Sequence, residues 1–283
     1  LKDIWVFPLE PQARQKLQAE VPPPLTPQRL EQSLAQEDGC AGELAGLDLG
    51  DRRREQRARK ILAARWQQPQ ASFYGSFSSW TPAKGAYGLI EHPSQEISLE
   101  SLLRPHTQAT QARMAAEPMV LLPQDTTGLN YSGLRQTTGL GPLGEAKGQG
   151  LWLHSLLAFR PDGVPLGLLD AQCWARPPAP AAERGRNAQS IAEKESFRWI
   201  EAFQKAAAAA RRMPQTQLVV ITDREGDLYE LHDAAQIGPA NLHVLIRAQH
   251  DRKLDCHQKL WAFMGRQPVG QTRSLKVPRR RGQ

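Results

Sequence analysis

Cysteine is scarce in this chain, and what there is has no pattern. Cys40, Cys173 and Cys256 lie far apart, are odd in number and never form a Cys-x2-Cys pair, which argues against a disulfide framework and a structural zinc site. Cys256 and His257 are neighbours, but no further ligands stand at zinc spacing. A reducing cytoplasm is the compartment expected. Long apolar runs are also missing: nothing approaches the roughly 20 residues needed to span a bilayer, and no basic segment followed by an apolar one opens the chain. Neither membrane insertion nor export is expected.

What is present is length and positive charge. At 283 residues the chain can bury a full core in one large domain or two smaller ones. A formal net charge of +7 makes a polyanion a plausible partner, because Lys and Arg that neutralise phosphates release bound counterions. Charge alone does not distinguish nucleic acid from other anions. Leu1 stands where a methionine would open a chain, and the basic stretch Val277 to Gln283 carries no capped element, so both ends are expected to be cut.

Residues 1–40, with Val21-Pro22-Pro23-Pro24 and many Gln and Glu, suggest an irregular arm. Asp48 or Asp51 then caps a predicted helix from Arg52 to Trp66, with Ile61, Leu62 and Trp66 on one side and a basic opposite side. Thr81-Pro82 predicts a second helix over Ala83 to Glu91, stopped by His92-Pro93, and a third spans Leu99 to Glu117. Residues 41–117 are therefore expected to form a small helical domain.

From residue 118 the pattern is that of a sheet. Met119 to Leu122 is a short buried-strand run that places Asp125 just past the strand end. Leu151 to Phe159 and Val164 to Trp174 form a hairpin across the turn Pro161-Asp162-Gly163. A helix over about Asn187 to Arg212 uses Ile191, Phe197, Ile200 and Phe203 as its apolar face. Leu218 to Ile221 is a second buried strand delivering Asp223, a short helix covers Gly226 to Ala235, and His243 to Ile246 is the last strand.

This order, with an antiparallel hairpin beside parallel strands, predicts an α/β fold of the ribonuclease-H-like kind: a mixed sheet flanked by helices over residues 118–250. Residues 251–283 are expected to begin a strand-rich insertion. In such a sheet Asp125 and Asp223 face each other at neighbouring strand ends, although 98 residues separate them.

Two carboxylates that close repel unless they neutralise a shared hard cation, and Mg²⁺ takes oxygen ligands while leaving positions open for phosphate and water. Such a site cleaves and joins phosphodiesters. The plainer alternative for Asp223 is to cap the helix that follows, though Asp227 lies closer to that helix and is the better capping candidate. Arg52, Arg53, Arg54, Arg57, Arg59 and Lys60 form either a solvated helix face or a phosphate-binding one, and their density favours phosphate. Trp80, Tyr87, Trp174 and His154 are expected in the core. The glycines of Gly139 to Gly150 do not make a nucleotide-binding loop, because Glu145 follows Gly144 where Lys is required.

Asp125-Thr126-Thr127-Gly128-Leu129-Asn130-Tyr131 and Thr222-Asp223-Arg224-Glu225-Gly226-Asp227 together resemble the first two catalytic motifs of the insertion-sequence-four family of bacterial transposases, transposon-five type. Leu49-Gly50-Asp51 with Arg53 and Arg54, Lys84-Gly85-Ala86-Tyr87, Trp152-Leu153-His154-Ser155, Trp174-Ala175-Arg176-Pro177, Glu193-Lys194-Glu195-Ser196 and Arg247-Ala248-Gln249-His250 have counterparts there in the same order. The resemblance implies a helical domain that binds double-stranded DNA at transposon ends, and a core that nicks and joins DNA with Mg²⁺, Mn²⁺ being able to substitute. It also implies cleavage through a DNA hairpin in a homodimer, in the bacterial cytoplasm and on the nucleoid when DNA-bound. By the same likeness Asp125 and Asp223 are catalytic metal ligands, Arg53, Arg54 and Arg57 contact end DNA, and Arg247 contacts DNA near the cleavage site.

The chain departs from the family in three ways. Gly88 and Glu91 stand where basic residues are usual. The family's third carboxylate, in a Tyr-x2-Arg-x3-Glu motif beyond a strand-rich insertion, has no counterpart in the 60 residues after Asp223. A C-terminally truncated transposase with disabled cleavage is therefore expected, and a non-catalytic DNA-binding inhibitor of full-length transposase is the alternative. A phosphatase-like enzyme using Asp125 as nucleophile fits less well, because its doubly wound sheet is mainly parallel.

Overall fold

A computed structural model of the chain describes residues 42–134, 136–144, 148–177 and 194–268. The N-terminal arm, Ile191, Glu193 and the segments 178–193 and 269–283 lie outside the described residues.

The helical part opens with a 3-10 turn, Gly42–Leu44, followed by α1 (Arg52–Gln67), α2 (Trp80–Ile90) and α3 (Leu99–Ala115). Helix α1 starts where expected because the Asp51 carboxylate accepts the Arg53 amide at 2.6 Å. Helix α2 starts three residues earlier than Ala83, with Ser79 at its N-cap position. Pro82 then sits in the first turn, where a missing N–H costs nothing. Ser98 and Ser101 close a reciprocal capping box on α3, which carries Pro105 in its interior. The core here is small: Leu44, Leu47, Leu49, Ala58 and Leu89, with Ile61, Leu62, Ile97 and Leu102 packed against them.

The sheet consists of β1 (Met119–Asn130), β2 (Gly141–Pro142), β3 (Gln149–Phe159), β4 (Pro165–Trp174), β5 (Gln217–Thr222) and β6 (Leu242–Ile246). Its lateral order is β4, β3, β1, β5, β6, with the short β2 paired to the start of β3. Strand β3 runs antiparallel to β1 and β4, whereas β1, β5 and β6 are mutually parallel. The result is a mixed sheet flanked by helices.

One face is dry. Val120 and Leu122 of β1, Leu156 and Ala158 of β3, and Leu218 and Val220 of β5 alternate inward in shared register. Against them packs α4 (Phe197–Arg212) through Phe203 and the alanines 202, 206, 207, 209 and 210, whose small side chains let the helix approach closely. The residues 194–196 form a turn, so α4 begins at Phe197 and not before. After β5 come a 3-10 turn, Arg224–Gly226, and α5 (Tyr229–Gln236). Residues 251–268 hold only the bridge between Lys253 and Lys259 and the short helix α6 (Leu260–Met264).

A polar junction ties helix α3 to the sheet. Glu43 accepts from Arg113 at 2.8 Å and meets His106 Nδ1 at 2.5 Å, while Leu168 N–H donates to His106 Nε2 and Arg113 Nε donates to the Leu166 carbonyl. Gly167, between those two strand residues, has φ +136°, and a Cβ there would lie 2.2 Å from Thr110 Oγ1. Only glycine lets β4 pass this close to α3. Among the described residues no helix is long and apolar enough to cross a membrane.

Candidate functional site

Asp125 is not past the end of its strand. It lies inside β1, paired with Ser155 of β3, because β3 keeps the polar stretch 124–130 extended after β5 has ended. The parallel register pairs Pro123 with Ile221, and Ile221 with Leu245. Asp125, Asp223 and Arg247 each lie two residues beyond these paired positions on three adjacent parallel strands. All three residues are exposed. The Arg247 amide donates to the Thr222 carbonyl at 3.1 Å, which continues β6 alongside β5 to this row.

Asp223 also caps its own turn, its Oδ1 accepting the Glu225 amide at 2.8 Å. That bond uses one lone pair, and a carboxylate has others for a cation. Asp125 and Asp223 therefore offer oxygen donors of the kind Mg²⁺ takes. Among the described residues no group of three His, Cys, Asp or Glu side chains converges to hold a metal ion. The large apolar groove of about 1060 Å³ between α1, α3 and β4, lined by residues such as Ile61, Leu102 and Leu166, includes none of the three residues in the row.

The basic run resolves into two groups. Arg52, Arg53, Arg57 and Lys60 are exposed and recur at helical spacing along one side of α1. Arg57 lies over Gly85 of α2, where a Cβ would meet its Nε at 3.3 Å. Arg54 is different: half-buried, it donates to the Leu49 carbonyl at 3.1 Å and to Glu96 at 2.7 Å, tying α1 to the segment before α3. Arg59 is also half-buried.

Asp227 is not a helix cap. It is buried at 4% exposure, and its carboxylate accepts the amides of Gln249 and His250 at 2.7 and 3.0 Å, Arg252 Nε at 3.0 Å and His232 Nε2 at 3.1 Å. Burial raises its pKa, but these donors outweigh burial and hold it down to about 2. Spacing along the chain gave no sign of this, because three of the four donors come from more than 20 residues away.

Behind Asp125, His154 is buried between Thr126 Oγ1 at 2.7 Å and Gln124 Oε1 at 3.0 Å, with its ring edge-on to Trp199. Burial first, and the Arg198 charge second, lower its pKa to about 4, so it is neutral at pH 7. Trp80, expected in the core, is 59% exposed against Tyr74, while Tyr87 is half-buried against Phe73. Trp174 is half-buried, and Arg198 lies 3.9 Å over its ring. Arg176 lies 4.1 Å over the Trp152 ring. Glu195 accepts from both Trp174 Nε1 and Arg176, so the motif pieces around residues 174 and 195 meet in space. This cluster sits level with Gly128, farther along β1 than Asp125.

Residues 37–94 match the family model of the transposase DNA-binding domain. No curated protein matches the chain. Among solved structures the chain is similar to the piggyBac transposase in a synaptic complex with hairpin DNA, at 9% identity and a TM-score of 0.37. That similarity covers 80% of this chain and 52% of the other, so the chain spans about half the length of that transposase. The chain thus carries the pattern of a transposase DNA-binding domain over residues 37–94, and the basic stripe of α1 lies within it.

Proposed function

We propose that this protein is a DNA transposase of the insertion-sequence-four type that binds double-stranded transposon ends through its helical domain and acts as a homodimer on them. Its sheet is the ribonuclease-H-like core of that enzyme, with the strand order 3-2-1-4-5 once the short β2 is set aside. Arg53, Arg57 and Lys60 neutralise backbone phosphates along one side of α1, which positions the duplex without reading its sequence. Arg54 contributes by holding α1 in place.

Asp125, within β1, and Asp223, just past the end of β5, would hold Mg²⁺, or Mn²⁺ in its place. A cation held by these two carboxylates would supply Lewis-acid polarisation of a phosphodiester and activation of water or a 3′-hydroxyl. Arg247 neutralises a non-bridging phosphate oxygen beside the pair. Two carboxylates are an incomplete donor set, so cleavage and strand transfer require a further donor. The observation that supports this reading is the parallel register pairing Pro123 with Ile221 and Ile221 with Leu245, two residues before Asp125, Asp223 and Arg247.

The test uses a labelled duplex carrying the inverted repeat that borders the coding sequence, against a shuffled duplex. Fluorescence anisotropy is expected to show tighter binding to the repeat and a loss of affinity for Arg53→Ala and Arg57→Ala; equal affinity for both duplexes overturns recognition of transposon ends. A second reading, a non-catalytic inhibitor of full-length transposase, is favoured by the absence of a third converging carboxylate among the described residues. It predicts that adding this chain to a full-length transposase lowers transposition frequency, and unchanged frequency removes it.

A further inference from the structure

The segment 247–252 is fastened at two points. At its start the Arg247 amide donates to the Thr222 carbonyl. At its far end Gln249, His250 and Arg252 all converge on Asp227, and the second Arg252 nitrogen also bonds the Asp227 carbonyl. Both carboxylate oxygens are used: Oδ2 takes the two amides, and Oδ1 takes Arg252 and His232. A carboxylate is tolerated in so buried a place only when its lone pairs are satisfied in this way. Helix α5, which starts just after it, gains no cap from it, since its N-cap position is Leu228. Three of the four bonds to the carboxylate go to the segment, and the fourth, from His232, goes to the side of α5 and not to its end.

We propose that Asp227 is a positioning residue: it ties segment 247–252 to the strand end carrying Asp223, so that Arg247 is held beside the Asp125–Asp223 pair to engage a DNA phosphate. The proposal rests on the DNA-binding reading of the chain. Asp227 touches neither DNA nor metal in it. Its effect on Arg247 passes through the segment, and that gives the effect an unexpected sign. Asp227→Asn removes a negative charge, which by simple electrostatics strengthens binding to a polyanion. It also sets an amide N–H₂ group against donors on either oxygen position, which frees the segment and weakens Arg247's contact.

The experiment measures the salt dependence of affinity for a duplex probe with the full chain, Arg247→Ala, Asp227→Asn and the double variant, each checked for an intact melting transition. Arg247→Ala is expected to bind several-fold more weakly, with the log–log salt slope reduced by about 1. Asp227→Asn is expected to show the same loss, and the double variant no more than Arg247→Ala alone. If Asp227→Asn does not fold, Arg252→Lys replaces it, keeping the charge while losing the Nε bond, with a smaller loss in the same direction expected. Binding by Asp227→Asn as tight as that of the unaltered chain or tighter overturns the proposal, as do losses that add fully in the double variant. If Arg53→Ala weakens binding while neither Arg247→Ala nor Asp227→Asn does, DNA binding stands and the positioning role fails. If the unaltered chain does not bind the duplex, both fail.

Discussion

The helical unit and the sheet handle charge in opposite ways. In α1 Arg52, Arg53, Arg57 and Lys60 lie on the surface, only Ala58 is buried, and the half-buried Arg54 is turned inward to an ion pair with Glu96. In the sheet the flanking charges are drawn in and satisfied: Asp227 is closed over by four donors, and His154 is buried neutral. The surface charges are available to a partner at almost no cost in stability, whereas the buried ones hold the fold and the segments beside Asp125 and Asp223. Two aspartates of one motif show the same contrast, Asp223 exposed at its strand end and Asp227 buried behind it.

The sharpest way to break that contrast is Asp227→Ala. It leaves Arg252 and two amides without their acceptor, and a loss on the order of 3–5 kcal/mol is expected in chemical denaturation; a loss under about 1 kcal/mol removes the distinction between the regions. Leu156→Ala, in the dry face of the sheet, is expected to cost about 3 kcal/mol, against roughly 1 kcal/mol for the half-buried Ile61→Ala in α1. Denaturation midpoints of the two variants measure the difference.

Acid separates two of the buried groups. The His154 pKa is depressed from 6.5, so the folded state resists protonation that the unfolded chain accepts, and stability falls as pH drops from about 6.5 toward 4. Asp227 acts lower. Its contribution is complete above its unfolded value of 3.8 and is lost as pH falls toward about 2. His154→Gln is expected to flatten the upper window and leave the lower one, which urea midpoints between pH 7 and 3 resolve. Asp51→Ala removes the α1 cap and is expected to cost about 1 kcal/mol. The smallest stability effect belongs to Arg53→Glu with Arg57→Glu, within about 0.5 kcal/mol. The same pair should reduce the salt slope of DNA binding by about 2, which makes it the clearest separation of binding from stability.

Much of this was legible in the sequence because it depended on near neighbours. Asp51 marks the start of α1, Pro161-Asp162-Gly163 makes the hairpin turn with Gly163 at φ 92°, and two short apolar runs place Asp125 and Asp223 on adjacent strands. What stayed hidden was set from a distance. Strand β1 outlasts its apolar run because β3 pairs with its polar half. The role of Asp227 was invisible because its donors arrive after β6, and Trp80 falls outside the core because α2 begins at that residue and turns it outward.

Joint binding of a divalent cation by Asp125 and Asp223 is measured most directly with Mn²⁺, through paramagnetic broadening of amide signals in the full chain. Broadening is expected to centre on Asp125, Asp223, Ser155 and Arg247 and to be abolished by Asp125→Ala and by Asp223→Ala separately, with the fold retained in both variants. Broadening centred elsewhere, or unchanged in either variant, would contradict it.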